Sequence, residues 1–182
     1  MSSDSVSIRP MVSADYHAIR AINAWHVENS TASFEEQPPS LEIISAKLDG
    51  LEAQDYPRFV AERSDQNGGK TVIGYAYVAP YHTRPAYRHT VENSIYLAPR
   101  ETGKGIGRAL LQSLIVACSE PSNRGYDFAR MLALIGGVDN VASIRLHKAL
   151  GFKKVGLLEK VGYKHDKWLD VIVMQRTLKA TD

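Results

Sequence analysis

The chain has 182 residues, 44% of them hydrophobic and 23% charged, which is the composition of an ordinary folded domain. Its formal net charge is only +2 and its basic residues are scattered, which argues against nucleic acid or an anionic membrane as a partner. No stretch reaches the ~20 apolar residues of a membrane span, and residues 1–7 lack a signal-peptide pattern.

The first third of the chain predicts one strand and two helices. Residues 6–9 alternate between polar and apolar positions, as a strand does. Ser13 and Asp15 can cap a first helix, whose apolar spacing would place Trp25 or His26 on the core-facing side, with Trp25 as a core residue. Ser40 can cap a second helix after an irregular connection. The helices are predicted at residues 13–28 and 40–51.

The rest of the chain predicts six further strands and two further helices. The predicted strands are residues 59–63, 71–79, 89–97, 130–135, 153–158 and 168–176, and the helices are residues 108–117 and 141–150. Residues 130–135 are apolar almost throughout, as expected of a strand buried on both faces. No repeat or linker is visible, so we expect a single α/β domain over residues 1–182, with its core at about 6–178.

A turn with three glycines at alternate positions joins the fourth strand to the third helix. Gly103, Gly105 and Gly107 permit a close approach of backbone to ligand, and bare N–H groups lie at the positive end of the helix. Such a turn can hold a phosphate or diphosphate, or it can simply be a tight connection. It is not a P-loop, because Gly107 is followed by Arg108 instead of Lys-Ser/Thr.

A second motif, Asn140-Val-Ala-Ser-Ile-Arg-Leu-His-Lys-Ala-Leu-Gly-Phe152, follows the turn. Together the two resemble the paired signature of the GNAT superfamily of acetyl-CoA-dependent N-acetyltransferases. The resemblance implies a mostly antiparallel sheet of about seven strands, flanked by about four helices and splayed at the cofactor site. The cofactor residues that it implies for acetyl-CoA are Ile95, Tyr96, Leu97, Gly103, Lys104, Gly105, Ile106, Gly107, Arg108, Asn140 and Ser143.

Two further motifs narrow the resemblance to the phosphinothricin and methionine sulfoximine acetyltransferase branch. They are the Arg84-x-x-Tyr87 segment with Thr-Val-Glu92 after it, and Gly162-Tyr-Lys-x-x-x-Trp168. The resemblance covers residues 6–178. It implies a homodimer in which a twofold partner helps to line the pocket, together with Tyr163, Lys164 and Trp168. The chain departs from many members at Thr102, where they have Arg or Gln, and residues 121–129 form a longer segment without an assigned role.

Acetyl transfer to an amine requires a neutral nitrogen, whereas most amines are protonated near pH 7. A carboxylate withdrawn from water can take up that proton, and the resemblance identifies Glu92 as this base. The alternative is a strand glutamate paired with Arg84, Arg88 or a lysine. His147 stands where many members have a tyrosine that protonates the leaving thiolate, and an imidazole can do the same. Its alternative is a histidine that only packs beneath the cofactor.

Three residues are candidates for substrate binding. Arg84 and Tyr87 could bind an amino-acid carboxylate, although Arg84 could also be a solvated loop residue. Phe34 could close over the substrate side chain or could anchor its loop to the core. The resemblance implies that the acceptor is the α-amino group of a small amino acid or analogue such as phosphinothricin, methionine sulfoximine or methionine sulfone.

Other classes of site and function fit the sequence less well. His82, His89 and His165 match no metal-ligand spacing, so no metal is expected. The single cysteine, Cys118, lies in an apolar pattern and fits a cytoplasmic core residue. Alternative acceptors are a protein N-terminus, a polyamine or an aminoglycoside. The last two carry several positive charges and would favour an acidic pocket, whereas residues 81–89 contain two arginines and no acidic residue. A CoA-sensing module without catalysis is the remaining alternative.

Overall fold

The computed structural model of the protein describes residues 5–180, so residues 1–4 and 181–182 of the predicted domain lie outside the described part. The strands are β1 Ser5–Pro10, β2 Arg58–Ser64, β3 Lys70–Pro80, β4 Thr90–Leu97, β5 Arg130–Gly136, β6 Lys153–Lys164 and β7 Lys167–Thr177. The helices are α1 Tyr16–Asn29, α2 Leu41–Ala53, α3 Ile106–Ser119 and α4 Val141–Ala149, with short 3-10 turns at Ser13–Asp15 and Pro85–Tyr87. The predicted α/β class, with seven strands and four helices, is confirmed.

The sheet has the strand order β1-β2-β3-β4-β5-β7-β6, and every neighbouring pair except β4 and β5 is antiparallel. The parallel pair is short, because only residues 90–92 of β4 are matched with residues 130–132 of β5. Beyond Glu92 the two strands diverge. The predicted splay in the sheet is therefore present, and it leaves one edge of β4 without a neighbouring strand.

Helices cover both faces of the sheet because side chains alternate along each strand. On β3, Tyr75 and Tyr77 point to the face of α1 and α2, where the Tyr75 hydroxyl meets the Asn23 amide at 3.4 Å. Leu110 of α3 lies against Gly74 on the opposite face. Cys118 of α3 is fully buried as a free thiol, which confirms its predicted place in the core.

Two details of α1 differ from the sequence-based prediction. The helix begins at Tyr16 because residues 13–15 form a 3-10 turn, in which the Asp15 carboxylate accepts hydrogen bonds from the Val12 N–H at 2.9 Å and from Arg9. Trp25 is 39% exposed, so its predicted core position was wrong. Trp25 lies beyond the edge of the buried stripe and packs edge-on against His26.

The later strands also correct the prediction. Strand β6 continues to Lys164 instead of ending at residue 158. The prediction stopped short because the pairing is irregular between Leu158 and Gly162, which interrupts the alternation of polar and apolar residues. Strand β5 is not buried throughout, since Leu134 is 38% exposed. The segment 121–129 has a packing role: Phe128 is fully buried, and the Arg124 guanidinium lies 4.0 Å from its ring centroid. Within residues 5–180, no helix is long and apolar enough to cross a membrane.

Candidate functional site

A cavity of about 870 Å³ opens where β4 and β5 separate. Its walls come from the loop after α1, from α2, from the turn before α3 and from α4. Most of the predicted site residues line it together, namely Phe34, Glu92, Ile95, Tyr96, Leu97, Gly103, Gly105, Gly107, Arg108, Asn140, Ser143 and His147. Thr102 lines it as well. Across the described part of the chain, no group of three or more His, Cys, Asp or Glu side chains is arranged to hold a metal ion.

The glycine turn presents bare backbone at one end of this cavity. Gly103 and Gly105 adopt φ of +77° and +80°, a conformation that strains other residues, and a Cβ on either would meet no protein atom within 4 Å. Gly105 precedes α3 and no side chain caps the helix. The first N–H groups of the helix are thus available to an anion. Ile106 is buried, so only its main chain can take part.

A buried carboxylate anchors this turn to the sheet. Glu101 is 8% exposed, and the Arg63 guanidinium donates to its Oε1 at 2.9 Å. The Lys104 ammonium donates to Oε2 of the same carboxylate at 3.2 Å. The hydrogen bonds from Arg63 chiefly hold the pKa of Glu101 below its usual range. Lys104, predicted to lie near the cofactor phosphates, is therefore engaged with Glu101 and does not line the cavity.

The unpaired edge of β4 forms the floor of the cavity. Because Ala98 and Tyr96 direct their main-chain groups to β3, those of Ile95 and Leu97 point to the side from which β5 has diverged. The Leu97 carbonyl already accepts a hydrogen bond from His26 Nε2 at 2.8 Å. Burial lowers the pKa of His26. The sequence pointed to the helical position of His26, but not to this contact across the sheet.

Glu92 occupies the last position of β4 that is paired with β5, at the point where the sheet opens. Burial raises the pKa of its carboxyl group, and the positive charge of Lys47 partly opposes that effect. No ion pair of Glu92 with Arg84, Arg88 or a lysine occurs among the described residues. The carboxyl group is thus half-buried and faces the cavity, as a general base must.

His147 lies on the other side of the opening, 4% exposed and held between α4 and β4. Its Nδ1 is 2.8 Å from the Ser143 carbonyl oxygen, and its Nε2 is 3.0 Å from Asn93 Oδ1. Burial lowers the pKa of the imidazole. Asn93 Nδ2 donates to the Leu132 carbonyl at 2.8 Å, so this amide joins β4 to β5 just beyond their last backbone pair. The sequence analysis did not identify Asn93. The only signal in the sequence was a polar amide side chain within a strand that was expected to be largely apolar.

The loop that carries Phe34 is fastened to β6. Lys164 Nζ donates to the Ser30 carbonyl at 3.0 Å and to the Ser33 carbonyl at 2.7 Å, and burial lowers its pKa. The Phe34 ring covers Gly136 and Gly162, where an added Cβ would lie within 2.6 Å of it. Phe34 thus lines the cavity and packs on two glycines, which fits an anchor for its loop. Its closure over a substrate side chain stays a prediction.

Arg84, Tyr87, Tyr163 and Trp168, which were predicted to belong to the pocket, do not line this cavity, and neither does Lys164. Tyr163 and Trp168 are exposed and pack against each other at the β6–β7 end, with ring centroids 5.1 Å apart. Arg84 lies on the exposed segment 81–88, where the Tyr87 ring packs against Tyr81 at 5.6 Å. The role of Arg84 and Tyr87 in binding an acceptor stays a prediction.

Known proteins resemble the chain over nearly its whole length. Residues 8–173 match the acetyltransferase (GNAT) domain family. Over 176 residues the chain is 42% identical to a phosphinothricin N-acetyltransferase from Alcaligenes faecalis, covering 97% of this chain and 84% of that protein. Over 177 residues it is 39% identical to an L-methionine sulfoximine/L-methionine sulfone acetyltransferase from Pseudomonas paraeruginosa, covering 97% of each. A solved phosphinothricin acetyltransferase from Sinorhizobium meliloti in complex with AcCoA has a TM-score of 0.86 and 41% identity, with 97% of this chain and 94% of that chain covered.

Proposed function

This chain belongs to the GNAT family of acetyltransferases, and we propose that it acetylates the α-amino group of a small amino acid or amino-acid analogue. It is an N-acetyltransferase, and its acetyl donor is acetyl-CoA. The names of its relatives support phosphinothricin, methionine sulfoximine and methionine sulfone as acceptors. We propose a single N-acetyltransferase domain over residues 1–182, of which residues 8–173 match the family. The observation that carries the proposal is the Glu92 carboxyl group, which lies in the same cavity as the uncapped glycine turn.

The cavity fits acetyl-CoA at the turn and along β4. The open space at Gly103 and Gly105 and the uncapped start of α3 suit a diphosphate, and Arg108 adds positive charge beside them. The main-chain groups of Ile95 and Leu97 would bind the pantetheine arm as an added strand would be bound. Acetyl-CoA supplies the activated acetyl thioester when bound.

The chain's own contribution is proton transfer at two atoms. The Glu92 carboxylate takes a proton from the acceptor ammonium, directly or through water, and so produces the neutral nitrogen that can attack. His147, across the opening, would hold a proton for the departing sulfur. Its two ring nitrogens face the oxygens of Ser143 and Asn93, which fixes the plane of the imidazole.

A direct assay tests the proposed function. We expect the purified protein to release free thiol from acetyl-CoA in the presence of methionine sulfone, methionine sulfoximine or phosphinothricin, and mass spectrometry to detect the N-acetyl product. Spermidine and a peptide with a free N-terminus serve as comparison acceptors. If none of the three amino-acid analogues is acetylated while spermidine or the peptide is, the proposed acceptor class is wrong.

We also propose that the enzyme is a cytoplasmic homodimer. The free, buried thiol of Cys118 fits a reducing compartment. Apolar side chains are exposed along β6 and at its end, namely Val155, Leu157, Leu158, Val161, Tyr163 and Trp168. Such a surface on an edge strand is typical of a protein interface. A twofold partner covering it could bring its own Arg84 and Tyr87 to the cavity.

Sedimentation measurements test the dimer. We expect the wild-type protein to sediment as a dimer at micromolar concentration, and Val161→Asp to shift it to monomer, because a charge would be buried in the interface. Val6→Asp is the matched control, since Val6 is 44% exposed on the opposite edge strand of the sheet. A wild-type monomer would contradict the proposal.

A further inference from the structure

Lys47 is a cationic group in the cavity that the sequence did not single out. Among the described residues that line the cavity it is the one lysine, and the two arginines there, Arg108 and Arg145, belong to α3 and α4. Lys47 Nζ donates to the Tyr77 hydroxyl oxygen at 2.7 Å and lies 4.7 Å from the centroid of the same ring. No carboxylate in the described part of the chain lies within ion-pair distance of this ammonium group.

The register of β3 and β4 places this pair beside Glu92. Tyr77 is opposite Ser94 and Ala79 is opposite Glu92, so Tyr77 and Glu92 are diagonal neighbours on one face of the sheet. Burial raises the pKa of Glu92, and the positive charge of Lys47 opposes part of that rise, which is consistent with this proximity. A cation and a phenol therefore stand next to the carboxylate that would receive the proton of the acceptor.

The remaining hydrogen-bond donors of the pair suit an oxyanion. An ammonium group has three hydrogens, of which Tyr77 receives one. The Tyr77 oxygen accepts that bond, which leaves its own hydrogen to be donated. In an α-amino acid, the carboxylate is attached to the same carbon as the reacting nitrogen. A nitrogen held at Glu92 therefore brings the carboxylate close to Lys47 and Tyr77.

We propose that Lys47 and Tyr77 bind the α-carboxylate of the acceptor, so that the enzyme selects free α-amino acids over simple amines and peptide N-termini. The inference rests on the proposed function and names the group that determines its specificity. The sequence predicted that Arg84 and Tyr87 bind this carboxylate, whereas the inference assigns the contact to Lys47 and Tyr77, which line the cavity.

Paired acceptors test the inference. Methionine sulfone is compared with 3-(methylsulfonyl)propan-1-amine, which lacks only the carboxylate. In wild-type protein we expect a higher kcat/KM for methionine sulfone. In Lys47→Met the ratio of the two kcat/KM values should fall about 10- to 100-fold, the range expected for a lost charge-assisted hydrogen bond. Lys70→Met is the matched control, since Lys70 is exposed and lies outside the cavity, and it should keep the wild-type ratio.

An unchanged ratio of the two kcat/KM values in Lys47→Met would overturn the inference. If both values fall equally, Lys47 acts only through Glu92 or the fold. If the ratio collapses in Arg84→Met instead, the carboxylate contact belongs to Arg84.

A binding measurement separates this inference from the proposed activity. Calorimetry of methionine sulfone with CoA-saturated protein should give a dissociation constant about 10-fold or more higher for Lys47→Met than for wild type. If the wild-type protein acetylates none of methionine sulfone, methionine sulfoximine and phosphinothricin, the proposed function fails, and calorimetry alone decides the role of Lys47. Equal binding by both proteins, or no binding by the wild type, would then overturn the inference.

Discussion

Replacing Glu92 by glutamine is expected to lower kcat for acetyl transfer by about 10²–10⁴-fold. Glutamine keeps the shape of the side chain but cannot take a proton from the acceptor. Because Glu92 sits at the opening of the sheet and has no ion-pair partner among the described residues, the change should leave the fold and CoA binding intact. Steady-state kinetics with a saturating acceptor measure the loss, and calorimetry with CoA checks that binding is retained.

Glu35 provides the matched control, since among the described residues it is the other acidic one that lines the cavity. Glu35→Gln should reduce kcat by less than 10-fold. A larger loss of kcat in Glu35→Gln than in Glu92→Gln would show that Glu35, and not Glu92, is the base.

The pH profile gives a second test of Glu92. Only its ionised form can accept a proton, and burial raises its pKa, so kcat/KM should fall as the pH is lowered through that raised pKa. Removing the positive charge in Lys47→Met should move this acid limb to higher pH, whereas Glu92→Gln should lack it. An acid limb that persists unchanged in Glu92→Gln would show that another group titrates.

Replacing Gly105 by valine is expected to weaken CoA binding by about 10²-fold or more, because several main-chain hydrogen bonds to a charged group would be lost. At φ of +80° a β-branched residue is strained, and its side chain would project into space that holds no protein atom within 4 Å. That space is where the proposed diphosphate would lie. Calorimetry with CoA gives the change in dissociation constant.

Gly68 allows the effect of backbone strain to be separated from loss of the ligand contact. It has the same φ of +80° and also has no protein atom within 4 Å of an added Cβ, but it lies in the β2–β3 hairpin, outside the cavity. Gly68→Val should cost stability by a similar mechanism and leave CoA affinity unchanged. Equal CoA affinity in Gly105→Val and Gly68→Val would show that the glycine turn does not bind CoA.

The elements were predictable because their signals are local, and many residues that line the cavity could be named because they lie in motifs that resemble a known family. Alternation, helical spacing and the three glycines each act within a few residues, and the motif around Asn140 and His147 lies on a single helix. The core position of Trp25 was predicted wrongly because helical spacing shows only which side of a helix a residue is on. The width of the buried stripe depends on what packs against the helix, and Trp25 lies outside that stripe.

Contacts between distant residues were not predictable from the sequence. Asn93 meets His147 across 54 positions, His26 meets Leu97 across 71, and Lys164 reaches Ser30 across 134. Each is a single hydrogen bond between elements whose relative position the folded sheet determines. Lys47 was overlooked for the same reason, since on the sequence it is only an exposed lysine of an amphipathic helix.

The attachment of the Phe34 loop has a consequence for how acceptor preference can change during evolution. Lys164 holds the loop through the carbonyl oxygens of Ser30 and Ser33, groups that every amino acid possesses. Mutations in the loop can therefore reshape the wall of the pocket without releasing its tether.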